Sequence, residues 1–303
     1  IYPTGKLTFG SAVPSTLVTH RVEMAAEATP SSVIYPTGAS STEDARGVWA
    51  RAYEANELPD ADAEKTTTLE DLLLYHLKEK GSTSSPKYGF EVKYGLRGAL
   101  FMDLLLDGQV DVKYIGLKSM ERDTRFSMTP AFYQQCKKIW QMVDESEADP
   151  VVEGEKMGLS AVVSYVARKI GKYGEGEKRS ARVWIDYLTN HVKKFKTHCL
   201  KSVEAKGYGH FQKASKVAKA FGREKFELNE KGMERKRALE EKVMEVIKGE
   251  RSDVRSTCFA ALVIACHLVK PPKGIPQDRL DDILADDEIA RGVREMINAN
   301  TAA

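Results

Sequence analysis

Arg97 stands between Gly95 and Gly98 where an apolar run begins, in the stretch KYGLRGALFMDLLLDGQVDV from Lys93 to Val112. Leu96, Ala99, Leu100, Leu104 and Leu105 recur at helical spacing, Asp103 and Asp107 share another face, and Gly108 supplies a stop. The pattern puts Arg97 in the first turn of a helix, where a cation opposes the positive end of the helix dipole. Such a position becomes comfortable when an anion meets it, either a bound ligand or a neighbouring carboxylate.

A second group of cations follows in HVKKFKTHCLKSVEAKG, His191 to Gly207. Val192, Phe195, Cys199 and Val203 fall at intervals of three and four and make one buried face, while Lys193 and Lys196 share another. Beyond Gly207, Lys213, Lys216, Lys219, Arg223 and Lys225 alternate with Phe211, Val217, Phe221 and Phe226. Glycines, rings and cations together suit a hairpin or short amphipathic segment lying in a lipid headgroup layer. A solvated basic loop with core-facing rings is the plain alternative. Nucleic acid is a third and lesser taker, because lysines and aromatics also follow phosphate backbones.

From His191 to Lys225 there are ten Lys/Arg against two acids, a local charge of +8 in a chain whose net charge is +2. The basic region therefore stands against a body of −6.

Enzyme signatures are missing: the sequence contains no GxxxxGK, no HExxH and no GxSxG. Cys266 and His267 adjoin, but neighbours on a helix point about 100° apart, which favours a buried thiol and a satisfied histidine over a nucleophile and base. His191 and His198 lie seven apart on the basic helix without carboxylate or thiolate companions, a poor set for a metal. The pairs and runs Asp281–Asp282 and Asp286–Glu288 read as solvated acids. The expectation is a non-catalytic protein with no metal and no cofactor.

The elements that must hold these residues are mostly helical. Thr66 to Lys80 begins with a cap at Thr68, has Asp71 three residues on, and carries a stripe of Leu69, Leu72, Leu73 and Leu77. GQVDVKYIGL alternates like a strand. Pro130–Val143, Gly158–Ile170, Trp184–Ala205, Met233–Lys248 and Ile283–Ile297 read as helices. The apolar run Cys258–Val269 is too short to span a bilayer and reads as the central buried helix. The four cysteines form no CxxC pair, a reduced and buried usage.

Residues 1–65 differ in kind. They are rich in Ser, Thr, Ala, Pro and Gly, repeat IYPTG at Ile1–Gly5 and Ile34–Gly38, and lack the apolar content to order themselves. An extended arm ordered by a protein partner is the expectation. The chain starts at Ile1 rather than methionine, which is either the product of removing a targeting segment or an incomplete record. The fold class is thus mostly α: a single helical domain over 66–303 with a central apolar helix and one or two short β-hairpins, preceded by an extended N-terminal arm.

The order TTTLEDLLLYHL, YGLRGALFMDLLLDGQV, WIDYL, a basic helix ending in EAKG, a hairpin, a long helix and an alanine-rich apolar one resembles the Golgi phosphoprotein 3 family over about residues 66–269. The resemblance implies a helical domain that binds phosphatidylinositol 4-phosphate on the cytosolic face of Golgi membranes, inserts a hairpin, and holds protein cargo. It places the headgroup arginine at Arg97 and its aromatic companion at Tyr88, where the family usually has tryptophan. The paired basic residues fall on Lys193 and Lys196, where arginine is expected, and the membrane-contact hairpin on Lys216, Val217, Lys219 and Phe221. Lysine lacks the arginine fork, and the tip is more basic than the family's. The family's arginine-rich N-terminal motif has no counterpart in residues 1–65. The alternative expectation is a structural accessory subunit of a large mitochondrial or plastid assembly that reuses this fold, with the arm wrapping partners.

Overall fold

A computed structural model describes residues 48–49, 66–77, 89–115, 123–173, 178–212 and 226–301. The helix α1 (Thr68–His76) opens on a capping box. Thr67 is the cap: its side chain accepts from the Glu70 N–H, and the Glu70 carboxylate accepts from the Thr67 N–H. The cap therefore lies one residue before the expected Thr68. Asp71 takes no part in the box; it accepts from Thr66 Oγ1 at 2.6 Å and from Arg235 at 2.8 Å.

α2 (Gly89–Leu106) begins at least two turns earlier than the apolar pattern suggests. Its glycines mark close packing. A Cβ at Gly95 would collide with Cys266 Sγ, and one at Gly98 would come within 2.5 Å of Val293 Cγ2. α2 can then lie hard against its neighbours, which is why the run reads GLRG at the point of closest approach.

β1 (Val110–Ile115) pairs antiparallel with β2 (Asp123–Met128), from Val110 opposite Met128 to Ile115 opposite Asp123. Phe126 on β2 meets Phe101 of α2 edge to face at 5.3 Å, and its carbonyl accepts from the Trp184 indole. This hairpin is thereby fixed to the helices α3 (Pro130–Ser146), α4 (Pro150–Lys156), α5 (Ala161–Tyr173) and α6 (Ala181–His191) through α6.

α7 (Phe195–Ala205) leads into a second hairpin, β3 (Gly209–Phe211) with β4 (Phe226–Leu228). α8 (Glu230–Lys248) and α9 (Val254–Ala265) follow, and α9 is buried along its length apart from Thr257, as a central apolar helix should be. α9 packs on α8, α2, α10 (Gln277–Asp286) and α11 (Glu288–Thr301).

The expected single helix Ile283–Ile297 is two. Asp287 is extended, with φ −102° and ψ 112°, and its Oδ1 accepts from the Ile289 and Ala290 N–H groups, capping α11. Asp287 and Glu288 are accordingly buried, at 1% and 6% exposure, and are not the solvated acids that the run suggests. Trp49, from the segment read as the arm, is fully buried there: its indole donates to Asp287 Oδ2 at 3.1 Å and its backbone N–H to Glu288 Oε2 at 3.2 Å. Val48 beside it is buried too, and the rest of residues 1–65 lies outside the described residues.

Candidate functional site

Arg97 sits in the middle of α2, not in its first turn, so the helix dipole is not what it answers to. It is 6% exposed. Nη1 donates to the Lys93 carbonyl at 2.7 Å and Nη2 to the Val192 carbonyl at 3.1 Å. The guanidinium lies over the Phe195 ring, 4.8 Å from its centre. Nε finds no acceptor. Among the described residues no carboxylate comes within ion-pair distance of Arg97. Burial alone drives its pKa down to about 10, a sign that its charge is poorly compensated. Two neutral carbonyls take two of its five N–H donors, and the buried Nε–H is without an acceptor.

The residue that accepts from Arg97 belongs to a break in the chain. The expected helix Trp184–Ala205 ends at His191; Val192 is extended and Lys194 adopts the left-handed conformation with φ 53°. Lys193 therefore projects from a kink between α6 and α7 rather than from a helix face shared with Lys196. Tertiary bonds hold the kink, because Arg97 takes the Val192 carbonyl and the Tyr165 hydroxyl donates to the Lys193 carbonyl at 2.6 Å. Tyr165 also stacks on His198, with centroids 3.5 Å apart. The break separates His191 from His198, and no group of three potential ligands for a metal occurs among the described residues.

Lys193 is exposed; Lys196, half-buried in the first turn of α7, has its pKa lowered by burial. α7 starts without a side-chain cap, and its Thr197 and His198 N–H groups turn back to the Lys194 carbonyl at 3.0 and 3.4 Å. Arg97 reaches the kink through the Val192 carbonyl and the Phe195 ring, the residues that precede Lys193 and Lys196 in the chain. Lys194 in the kink and Lys93, one turn before Arg97, were missed by the sequence reading. The i−4 spacing of Lys93 from Arg97 was a signal available for it. Tyr88 and the tip residues Lys216, Val217, Lys219 and Phe221 lie outside the described residues. The hairpin's base is described: Phe211 and Phe226 face each other in register with rings edge to face at 5.2 Å.

Fold and site together define a mostly helical domain with a basic kink built over a buried arginine that lacks an acid. No described helix is long and apolar enough to cross a membrane. The family model for Golgi phosphoprotein 3 (GPP34) matches residues 69–300, and the chain belongs to that family. No curated protein matches the chain.

Proposed function

We propose that this is a non-catalytic peripheral membrane protein of the Golgi cytosolic face. In this reading it binds an anionic phosphoinositide headgroup, phosphatidylinositol 4-phosphate by family, and adapts protein cargo. The observation that carries the reading is Arg97: buried, charged, unopposed by any described carboxylate, and bonded through Nη2 to the Val192 carbonyl of the Val192–Lys194 kink. A phosphate at the kink would meet Lys193 and Lys196 from outside, over the buried charge of Arg97. Each lysine near an anionic surface contributes about 1 kcal/mol, and a charge-assisted hydrogen bond in a desolvated place about 1.5–3 kcal/mol. Tyr88 and the tip residues Lys216, Val217, Lys219 and Phe221 complete the proposal as ring support and membrane contact.

For cargo, the open cavity of about 980 Å³ between α3, α4, α5 and α7 is the place to look. Tyr165 and His198 line it together with Arg168 and Lys201, so it shares the stack that braces the kink. Val48 and Trp49 are buried, with the Trp49 indole on Asp287 of the chain's own body. A partner for the remainder of residues 1–65 stays part of the proposal.

Liposome flotation with phosphatidylinositol 4-phosphate against phosphatidylserine, at matched surface charge, tests the reading with wild type and Arg97→Ala. Preferential binding that the substitution abolishes supports it. Equal binding to both lipids with Arg97→Ala silent overturns it.

A further inference from the structure

Phe90, Lys93, Tyr94 and Arg97 occupy positions i, i+3, i+4 and i+7 of α2 and so lie on one face. Exposure rises along that stripe: Arg97 and Tyr94 are buried, Lys93 is half-buried, and Phe90 is 45% exposed. The Phe90 ring lies stacked with Tyr94, centroids 6.5 Å apart and planes 16° from parallel, and the Lys93 ammonium sits 5.6 Å from the centre of the Tyr94 ring. Glu91 lies close enough to raise the pKa of Cys266 and His267, and Asp186 close enough to raise that of Tyr94.

A lone exposed phenylalanine is ordinary. This one is held by a second ring, has a cation one turn along, and stands above an arginine with an unused donor. Apolar outermost, cation next and buried cation innermost is the layering of a side-chain set that enters a membrane interface. There the ring passes the phosphate level and the ammonium stays at it.

We infer that Phe90 is a membrane wedge that inserts at the acyl boundary of an anionic bilayer, with Lys93 at the phosphate level beside it. The inference rests on the headgroup reading of Arg97 and adds to it a hydrophobic anchor on α2, separate from the β3–β4 hairpin. The occupant is a bilayer because Lys93 lies beside the stacked rings and the exposed Lys193 and Lys194 follow Val192, whose carbonyl Arg97 of the same stripe holds, a series of cations that an anionic leaflet complements.

The test compares two probes. Vesicles of phosphatidylcholine carrying phosphatidylinositol 4-phosphate and phosphatidylserine report on headgroup and wedge together; a water-soluble inositol phosphate reports on the headgroup alone. Phe90→Ala should weaken vesicle binding about tenfold and leave the soluble ligand's affinity unchanged, with thermal unfolding confirming that the exposed substitution folds. The four cysteines are buried, so Phe90→Cys offers one reactive thiol for a polarity-sensitive dye. Its emission should shift to the blue on vesicles and be quenched by brominated acyl chains.

Phe90→Ala silent on vesicles, or a dye that stays in water, overturns the wedge even if Arg97→Ala still abolishes binding of both probes. Arg97→Ala silent toward both probes overturns the headgroup reading, and the wedge falls with it.

Discussion

At the head of α1, acids meet partners; at Arg97, a cation does not. Glu70, 3% exposed on its side chain, takes Lys206 at 2.7 Å and the Ser202 hydroxyl at 2.6 Å. Asp71 takes the Arg235 fork at 2.8 and 3.1 Å. Asp103 accepts the Thr68 and Leu69 N–H groups at 2.7 and 3.0 Å, tying α2 to the open end of α1. Less than two turns from Asp103 on the same helix, Arg97 is just as buried and has only carbonyls. Folding costs are met in the first region by local pairing and hydrogen bonding. In the second no described carboxylate compensates the charge, and in the proposed reading the group is kept for what it meets from outside.

The contrast can be broken most forcefully at the paired end. Asp71→Ala leaves Arg235 without its fork partner and should destabilise the fold by about 3 kcal/mol, read from urea unfolding. Next in size is Gly98→Ala, which drives a methyl into Val293 and should cost about 1–3 kcal/mol by the same measurement, with headgroup binding reduced only as the fold is.

A third prediction uses pH. Burial pushes the Asp103 and Asp287 carboxyls up to about 7, against an unfolded value of about 4. The folded state then holds these protons at pH values where the unfolded chain has released them. The contribution to stability is fully present below the unfolded value and is lost as pH rises through about 7. Unfolding free energy should therefore be greater at pH 6.5 than at pH 8.5, by about 1 kcal/mol for each carboxyl, and Asp287→Asn should remove its share. His198 and His267, whose pKa burial lowers, act in the opposite sense only nearer and below about 6.5.

The smallest effect expected is that of Lys193→Ala. It should leave stability unchanged and weaken binding to anionic vesicles about fivefold, and more so at low salt.

Much of this contrast was legible in the sequence, and the limits have physical causes. The apolar periodicity of Leu96 to Leu105 marked α2, but Gly89 to Tyr94 carries no apolar stripe of its own, so the helix start and Arg97's place in it were misjudged. Gly95 and Gly98 looked like the edge of a helix because close packing of α2 against Cys266 and Val293 leaves no local sign. HVKKF contains neither glycine nor proline, and the break at Val192–Lys194 is held by bonds from Arg97 and Tyr165, which no window around residue 192 contains. The sequence DDE at 286–288 looked solvated because the groups that bury it, Trp49 and Thr124, come from more than 160 residues away. Arg97, Lys193 and Lys196 were named together by family motif, and the kink puts Lys193 off the helix face that spacing suggested.

The central claim is that Arg97 is kept for a ligand and not for the fold. Arg97→Met, measured for unfolding free energy and for binding to vesicles containing phosphatidylinositol 4-phosphate, tests it directly. A stability within about 1 kcal/mol of wild type, together with at least a tenfold loss of binding, is the predicted result. A loss of several kcal/mol comparable to that of Asp71→Ala, with binding by the folded fraction intact, would contradict it and make Arg97 a structural residue like its partnered neighbours.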